Sequence, residues 1–308
     1  MRLPVILSCA LIMSTTLSTA RADTTRVADH PSKLSYPSLD WKVPLGTSYR
    51  NVLKNGLIAY VGEDRQLPMA QVSGHIRYGT ILDPVGKEGL GTLAASLLLS
   101  GGTKHFTPDS LEELLERLAI EIDIKASETE MVFSCRFLTE YLDTALFVLE
   151  QVLFHPAFDK SRLLQERNLL IESVNHRFDN PAPTLAAGYT KALYAKSANS
   201  RLMTVGSLKA ISREDIVSFH RRIFRTQNFI VGAAGDFDKA VMLQKLEKLF
   251  PKATGAPDSL LNSIATKSPV KNIIIHKPIT QAYVKIGVPL FVRPHKDYYP
   301  ISILDQVL

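Results

Sequence analysis

The chain has 308 residues, of which 45% are hydrophobic and 21% charged, with a formal net charge of +6. That length holds two ordinary domains, and the composition is that of a globular rather than a disordered protein. The positive charge is spread out: basic pairs such as Arg221-Arg222 stand alone and no aromatic residues interleave with a basic stripe, which argues against nucleic acid as a partner.

The N-terminus has the three parts of a secretory signal peptide. Arg2 supplies a positive start, Leu3 to Leu17 is a short apolar run, and Ala20-Arg21-Ala22 is a small-x-small cleavage site. Residues 1–22 are expected to be cut off after Ala22, which implies a periplasmic or secreted protein. An uncleaved anchor is the alternative. No later apolar run of about 20 residues follows, so no stable membrane span is expected once the leader is gone. Cys9 lies in the leader, which leaves Cys135 alone in the mature chain and rules out an intrachain disulfide there. Such usage suits a Gram-negative periplasm.

Residues 23–48 carry Pro31, Pro37 and Pro44 and no clear period, and read as an extended arm. Residues 49–250 read as one module. Leu57 to Val61 and Ala70 to Tyr78 are strand-like, with Gly62 to Pro68 as the turn between them. Gly89 to Ser100 is a helix in which Leu90, Leu93, Leu97 and Leu98 recur at helical spacing. Thr107 caps the next helix, with Pro108 at its first position and Leu111, Leu114, Leu115 and Leu118 facing inward.

Glu121 to Ile124 and Met131 to Phe137 form a hairpin about a turn at Ser127 to Glu130, with Cys135 as a core side chain of its second strand. Four helices follow, over Thr139 to Phe154, Asp159 to Phe178, Thr184 to Ala195, and Ser212 to Ile223 with Ser212 and Asp215 capping. Phe229 to Ala234 is an apolar strand, Asp236 caps a helix carrying Leu243, Leu246 and Leu249, and Pro251 stops it. The fold class is α+β, with a mainly antiparallel sheet built from separated hairpins and helices packed on one face.

Residues 251–270 read as a Pro/Gly/Ser-bearing linker. In 271–308 the order of elements starts again: Asn272 to Ile275 and Ala282 to Val288 are strands and Tyr298 to Leu308 begins a helix. This reads as the start of a second, similar module that stops early. A small β-hairpin-plus-helix appendage on the first module is the alternative.

The frame around the helix at Gly89 to Thr103, Gly-Leu before it and Gly-Gly-Thr after it, resembles the insulinase/pitrilysin family of zinc metallopeptidases. Asn55-Gly56-Leu57, Tyr78-Gly79-Thr80, Asp83-Pro84, Val152 to Phe158, Asp179-Asn180-Pro181 and Gly235-Asp236 carry the same resemblance in order along the chain. It implies two similar α+β halves that enclose a chamber, as in mitochondrial processing peptidases.

The family's helix carries His-x-x-Glu-His, and here those slots hold Thr92, Ala95 and Ser96. Two imidazoles at i and i+4 share a helix face, a third ligand completes the zinc site, and the metal lowers the pKa of its water to about 7 with a Glu as base. A neutral hydroxyl is a poor zinc ligand and Ala95 cannot take a proton. The third ligand in the family is a downstream Glu, whose slot falls on Ser173. Glu172 is its neighbour, turned about 100° away around a helix. Glu172 and His176 have ligand spacing, with His105 or His220 as a possible third, but surface Glu–His pairs and structural histidines of this kind are common. His155, before Pro156, reads as a helix-end residue.

The resemblance therefore implies a non-catalytic member with no cofactor. It would pair with an active, zinc-motif-bearing subunit of the same family and help bind unfolded peptide substrates, by strand addition with little sequence preference. The open alternatives are a zinc-dependent metalloendopeptidase acting on its own, which needs zinc, and a fragment without function.

Overall fold

A computed structural model describes residues 30, 45–194, 197–258, 272–287, 293 and 295–307. The strands and helices of the described residues all belong to the unit formed by residues 45–308. The leader and almost all of the arm lie outside the described residues. The arm's last residues enter a single helical turn, α1 (Gly46–Tyr49), rather than staying extended. The Tyr49 ring lies against Gly62, which gives that turn a surface to pack on.

Six strands form one sheet among the described residues: β1 (Arg50–Val52), β2 (Ile58–Glu63), β3 (Met69–Ile76), β4 (Glu121–Ala126), β5 (Met131–Leu138) and β6 (Phe229–Gly235). Their order is β1-β2-β6-β3-β5-β4, with β2 and β6 parallel and the other pairs antiparallel. The segment Gly62 to Pro68 therefore does not close a hairpin, because β6 returns from far along the chain and lies between β2 and β3. Apolar β6, bonded on both sides and buried at Phe229, Val231 and Ala233, suits this central place.

The helices are α2 (Leu90–Ser100), α3 (Pro108–Arg117), α4 (Leu142–Phe154), α5 (Lys160–His176), α6 (Pro181–Tyr194), α7 (Val205–Ala210), α8 (Arg213–Ile223), α9 (Lys239–Leu249) and α10 (Tyr298–Val307). Their caps follow from sequence: Thr107 accepts from Ser110 N, and Ser212 and Asp215 form a reciprocal capping box. The cap expected at Asp236 is instead Asp238, which accepts from Val241 N at 2.9 Å. Asp236 is still held to the sheet, its N–H donating to Met69 O, so the helix starts two residues later.

Alternate strand residues point to one face. Val72, Ile76, Phe133, Cys135, Phe137 and Val231 are buried in one cluster with Leu93, Leu97, Leu149, Val152, Phe219 and Leu246 from the helices. Ser73, His75, Ser134 and Arg136 lie half-buried or exposed on the other face. The helices thus cover one face, as the alternation predicts.

Among the described residues, the strands expected for the second module are not formed. Residues 272–287 are extended but carry no strand, and Ile274, Val284 and Ile286 are 78%, 78% and 91% exposed. A strand is held by a ladder to a neighbour, and these have no partner among the described residues. Val288 lies outside them. Residues 251–258 are no free tether: Ala253 N donates to Asn55 O, and Asp258 pairs with Arg225 and Asn228.

Candidate functional site

The three slots of the zinc helix sit on α2, whose placement is set from its N-terminal end. Gly89, the residue before the helix, has a left-handed φ of 104° and offers no capping side chain. Asp83 supplies the cap from a distance, accepting from Gly89 N at 2.8 Å, Gly91 N at 3.0 Å and the Tyr78 hydroxyl. A side chain at Gly91 would strike the Tyr78 ring, so glycine lets that ring close over the helix start. Burial raises the pKa of Asp83, opposed by the Tyr78, Gly89 and Gly91 hydrogen bonds, and burial beside Asp83 raises that of Tyr78. Arg201 closes the clamp by donating to Asp83 O at 2.8 Å and Ile81 O at 2.7 Å.

Along α2, Leu90, Leu93, Ala94, Leu97 and Leu98 are buried, as is Ala95 at 3% exposure. Thr92 and Ser96, one turn apart, are half-buried. Ser96 donates to Thr92 O at 3.3 Å, and Ser100 donates to Ser96 O at 3.0 Å. These hydroxyls fold back on the helix's own carbonyls.

The downstream slot is on α5, which packs against α2. Asp159 caps α5 through Ser161 N and Arg162 N. Ser173 and Glu172 are both exposed. His176 meets Glu172 through Nε2 at 2.9 Å and Asp179 through Nδ1 at 2.6 Å, and hydrogen bonds from Asp179 and then Glu172 raise its pKa. Both ring nitrogens facing carboxylates is the arrangement of an imidazolium, which has no lone pair for a metal.

The possible third ligands are engaged elsewhere. His105 Nδ1 is 2.8 Å from Gln151 Oε1, and His220 Nε2 donates to Leu153 O at 2.8 Å. His155 is the C-cap residue of α4. The thiol of Cys135 is buried, and burial pushes its pKa up to about 12, the environment of an inert core thiol. Among the described residues, no group of three or more His, Cys, Asp or Glu side chains could hold a metal ion. Thr92, Ala95, Ser96 and Ser173 do not fit zinc, since they offer no imidazole, thiolate or carboxylate.

A cleft of about 390 Å3 opens beside Thr92, walled by Ala186, Ala187 and Thr190 of α6 and by Asn199, Arg201 and Met203. Arg177 lines it as well. Sequence reasoning missed Arg177, Asn199 and Arg201, because nothing local marks them; Arg201 acts on carbonyls 118 and 120 residues away. A larger groove of about 1130 Å3 lies between α6 and residues 272–287 and contains none of the slots.

Residues 61–204 match the model of the insulinase family (Peptidase family M16), and residues 210–308 match that of the Peptidase M16 inactive domain. The chain belongs to the insulinase family. It is similar to a non-peptidase homolog, YmxG, of Helicobacter pylori, at 24% identity over 76% of this chain and 55% of that protein. An uncharacterized zinc protease of Rickettsia bellii is 20% identical over 76% of this chain and 57% of its own length. Among solved structures, a peptidase M16 inactive domain from Pseudomonas fluorescens superposes with a TM-score of 0.64 at 19% identity, covering 70% of this chain and 53% of that one.

The chain thus spans about half the length of the relatives it matches. The insulinase family contains non-peptidase homologues beside zinc proteases, and the α2 slots of this member are of the non-metal kind. No helix among the described residues is long and apolar enough to cross a membrane.

Proposed function

We propose that this protein is an exported, non-catalytic insulinase-family subunit that pairs with an active, zinc-motif-bearing subunit of the family and helps hold unfolded peptides. The observation that carries this reading is an intact scaffold around empty chemistry. Asp83, Tyr78 and Arg201 fix α2 in place, while Thr92 and Ser96 on α2 and Ser173 on α5 stand in the ligand slots and Ala95 in the slot of the base. Peptide binding is supported by β4, which ends the sheet next to α2 and has no second neighbour among the described residues. A peptide can add to such an edge through main-chain hydrogen bonds. Export to a periplasmic or secreted location is supported by the leader-like residues 1–22.

Metal analysis and co-purification test this together. The purified protein should hold no stoichiometric zinc, its melting temperature should ignore chelator, and pull-down from the source cell should recover a family member with an intact His-x-x-Glu-His. Tight one-to-one zinc with peptidase activity would instead establish the lone zinc endopeptidase.

A further inference from the structure

The cleft beside Thr92 collects polar side chains whose hydrogen-bonding capacity the fold uses only in part. Asn199 sits in the short turn Ala198–Ser200, is only 9% exposed, and its carboxamide makes no hydrogen bond among the described residues. The amide lines the cleft and is left there as an available donor and acceptor. Arg177 donates once, from Nη1 to Met203 O at 2.8 Å, and no carboxylate among the described residues pairs with it. Its neighbour Arg201 differs, being spent on two backbone carbonyls with Glu88 at 3.6 Å. The first amides of α2 are likewise taken by Asp83, so any site here rests on side chains.

We propose that this cleft binds a carboxylate of a peptide, with Arg177 supplying the charge and the Asn199 amide and Thr92 hydroxyl supplying neutral hydrogen bonds. The guanidinium N–H groups that Arg177 does not give to Met203 suit one carboxylate. Glu88 and Glu128 line the same cleft and repel a doubly charged phosphate more strongly than a single carboxylate. Glu128 lies in the turn that follows β4, so a peptide along the β4 edge and a carboxylate in the cleft can belong to one ligand. The inference rests on the peptide-binding role proposed for this chain. The carboxylate is either the peptide's C-terminus or an acidic side chain beside it.

The test uses the whole chain and a fluorescein-labelled octapeptide of Ala, Val and Thr, read by anisotropy. Three forms are compared: a free C-terminal acid, a C-terminal amide, and an amide with Glu at its last position. A carboxylate-bearing form should bind about tenfold tighter than the plain amide, the loss typical of one charge-assisted contact. R177Q and N199D should each abolish that advantage while leaving the affinity of the plain amide unchanged. N199D is nearly isosteric and adds a repelling charge, so it decides the matter if R177Q loses its fold by melting temperature. Preference for the free acid identifies the chain terminus, and preference for the Glu form identifies the side chain. Equal binding of all three forms overturns the carboxylate site and leaves peptide binding standing. No binding of any form overturns both.

Discussion

Helices α2 and α5 pack against each other and carry the family's three ligand slots and the slot of its base, yet they are built on opposite terms. Helix α2 is an interior element: seven of its 11 residues are buried, and a carboxylate from outside the helix fixes its start. Helix α5 is a surface element: only Leu163 of its 17 residues is buried, and it starts on its own Asp159. The same loss of ligands therefore had different structural consequences. On α2 the slots stand on a packed helix and hold small residues: Ala95 is buried, and Ser96 returns its hydroxyl to the Thr92 carbonyl. On α5 the slot faces water, and Ser173 there needs no partner.

The widest expected gap between the helices is in leucine truncation. Leu97→Ala on α2 removes a side chain with no exposure and should cost about 2–5 kcal/mol of unfolding free energy. Leu169→Ala on α5, where the side chain is 59% exposed, should change stability by no more than about 0.5 kcal/mol. Urea unfolding of both variants checks this, and equal losses would erase the distinction between the two helices.

The two N-terminal anchors should differ less. Asp83→Ala strands the Tyr78 hydroxyl and the Gly89 and Gly91 amides in the interior, a loss of about 2–4 kcal/mol. Asp159→Ala leaves its amides open to water and should cost about 1 kcal/mol. Thermal melts of the pair sharpen the comparison, since a larger loss at Asp159 would place the stronger anchor on α5.

The contrast between these helices was partly legible in the sequence. The leucine period and the flanking glycines mark α2, and Thr92, Ala95 and Ser96 are visibly unable to bind zinc. The anchoring was not legible: Asp83 reaches forward over a turn, and Arg201 returns from beyond α6 to bond carbonyls. Such contacts depend on tertiary packing, which leaves no local pattern. Residues 272–287 show the converse error. Their apolar residues read as strands, but apolar residues describe what a strand could bury and not whether a neighbouring strand exists. The position of β6 was hidden for the same reason, because a parallel pairing between β2 and a segment far along the chain has no signature at either end.

The smallest expected difference is in response to pH, where a histidine beside each helix has the opposite sign. His220 lies on α8, which packs against α2, with Phe158 edge-on and Phe224 stacked on its ring. Burial lowers its pKa against the pull of the Leu153 carbonyl, with His155 adding to the lowering. The folded protein then binds fewer protons than the unfolded one, so stability is lost as pH falls below the unfolded value of about 6.5, by at most about 1.4 kcal/mol per pH unit. His176 on α5 is raised by Asp179 and Glu172, so its contribution is full below about 6.5 and fades as pH rises through its folded pKa. That contribution is small because water screens the exposed pair. Melting temperatures across this range should therefore show His220→Gln flattening the acid loss of stability and His176→Gln lowering stability only on the acid side. A wild-type-like acid response in His220→Gln would move the proton uptake to another group and remove His220 from the buried surroundings of α2.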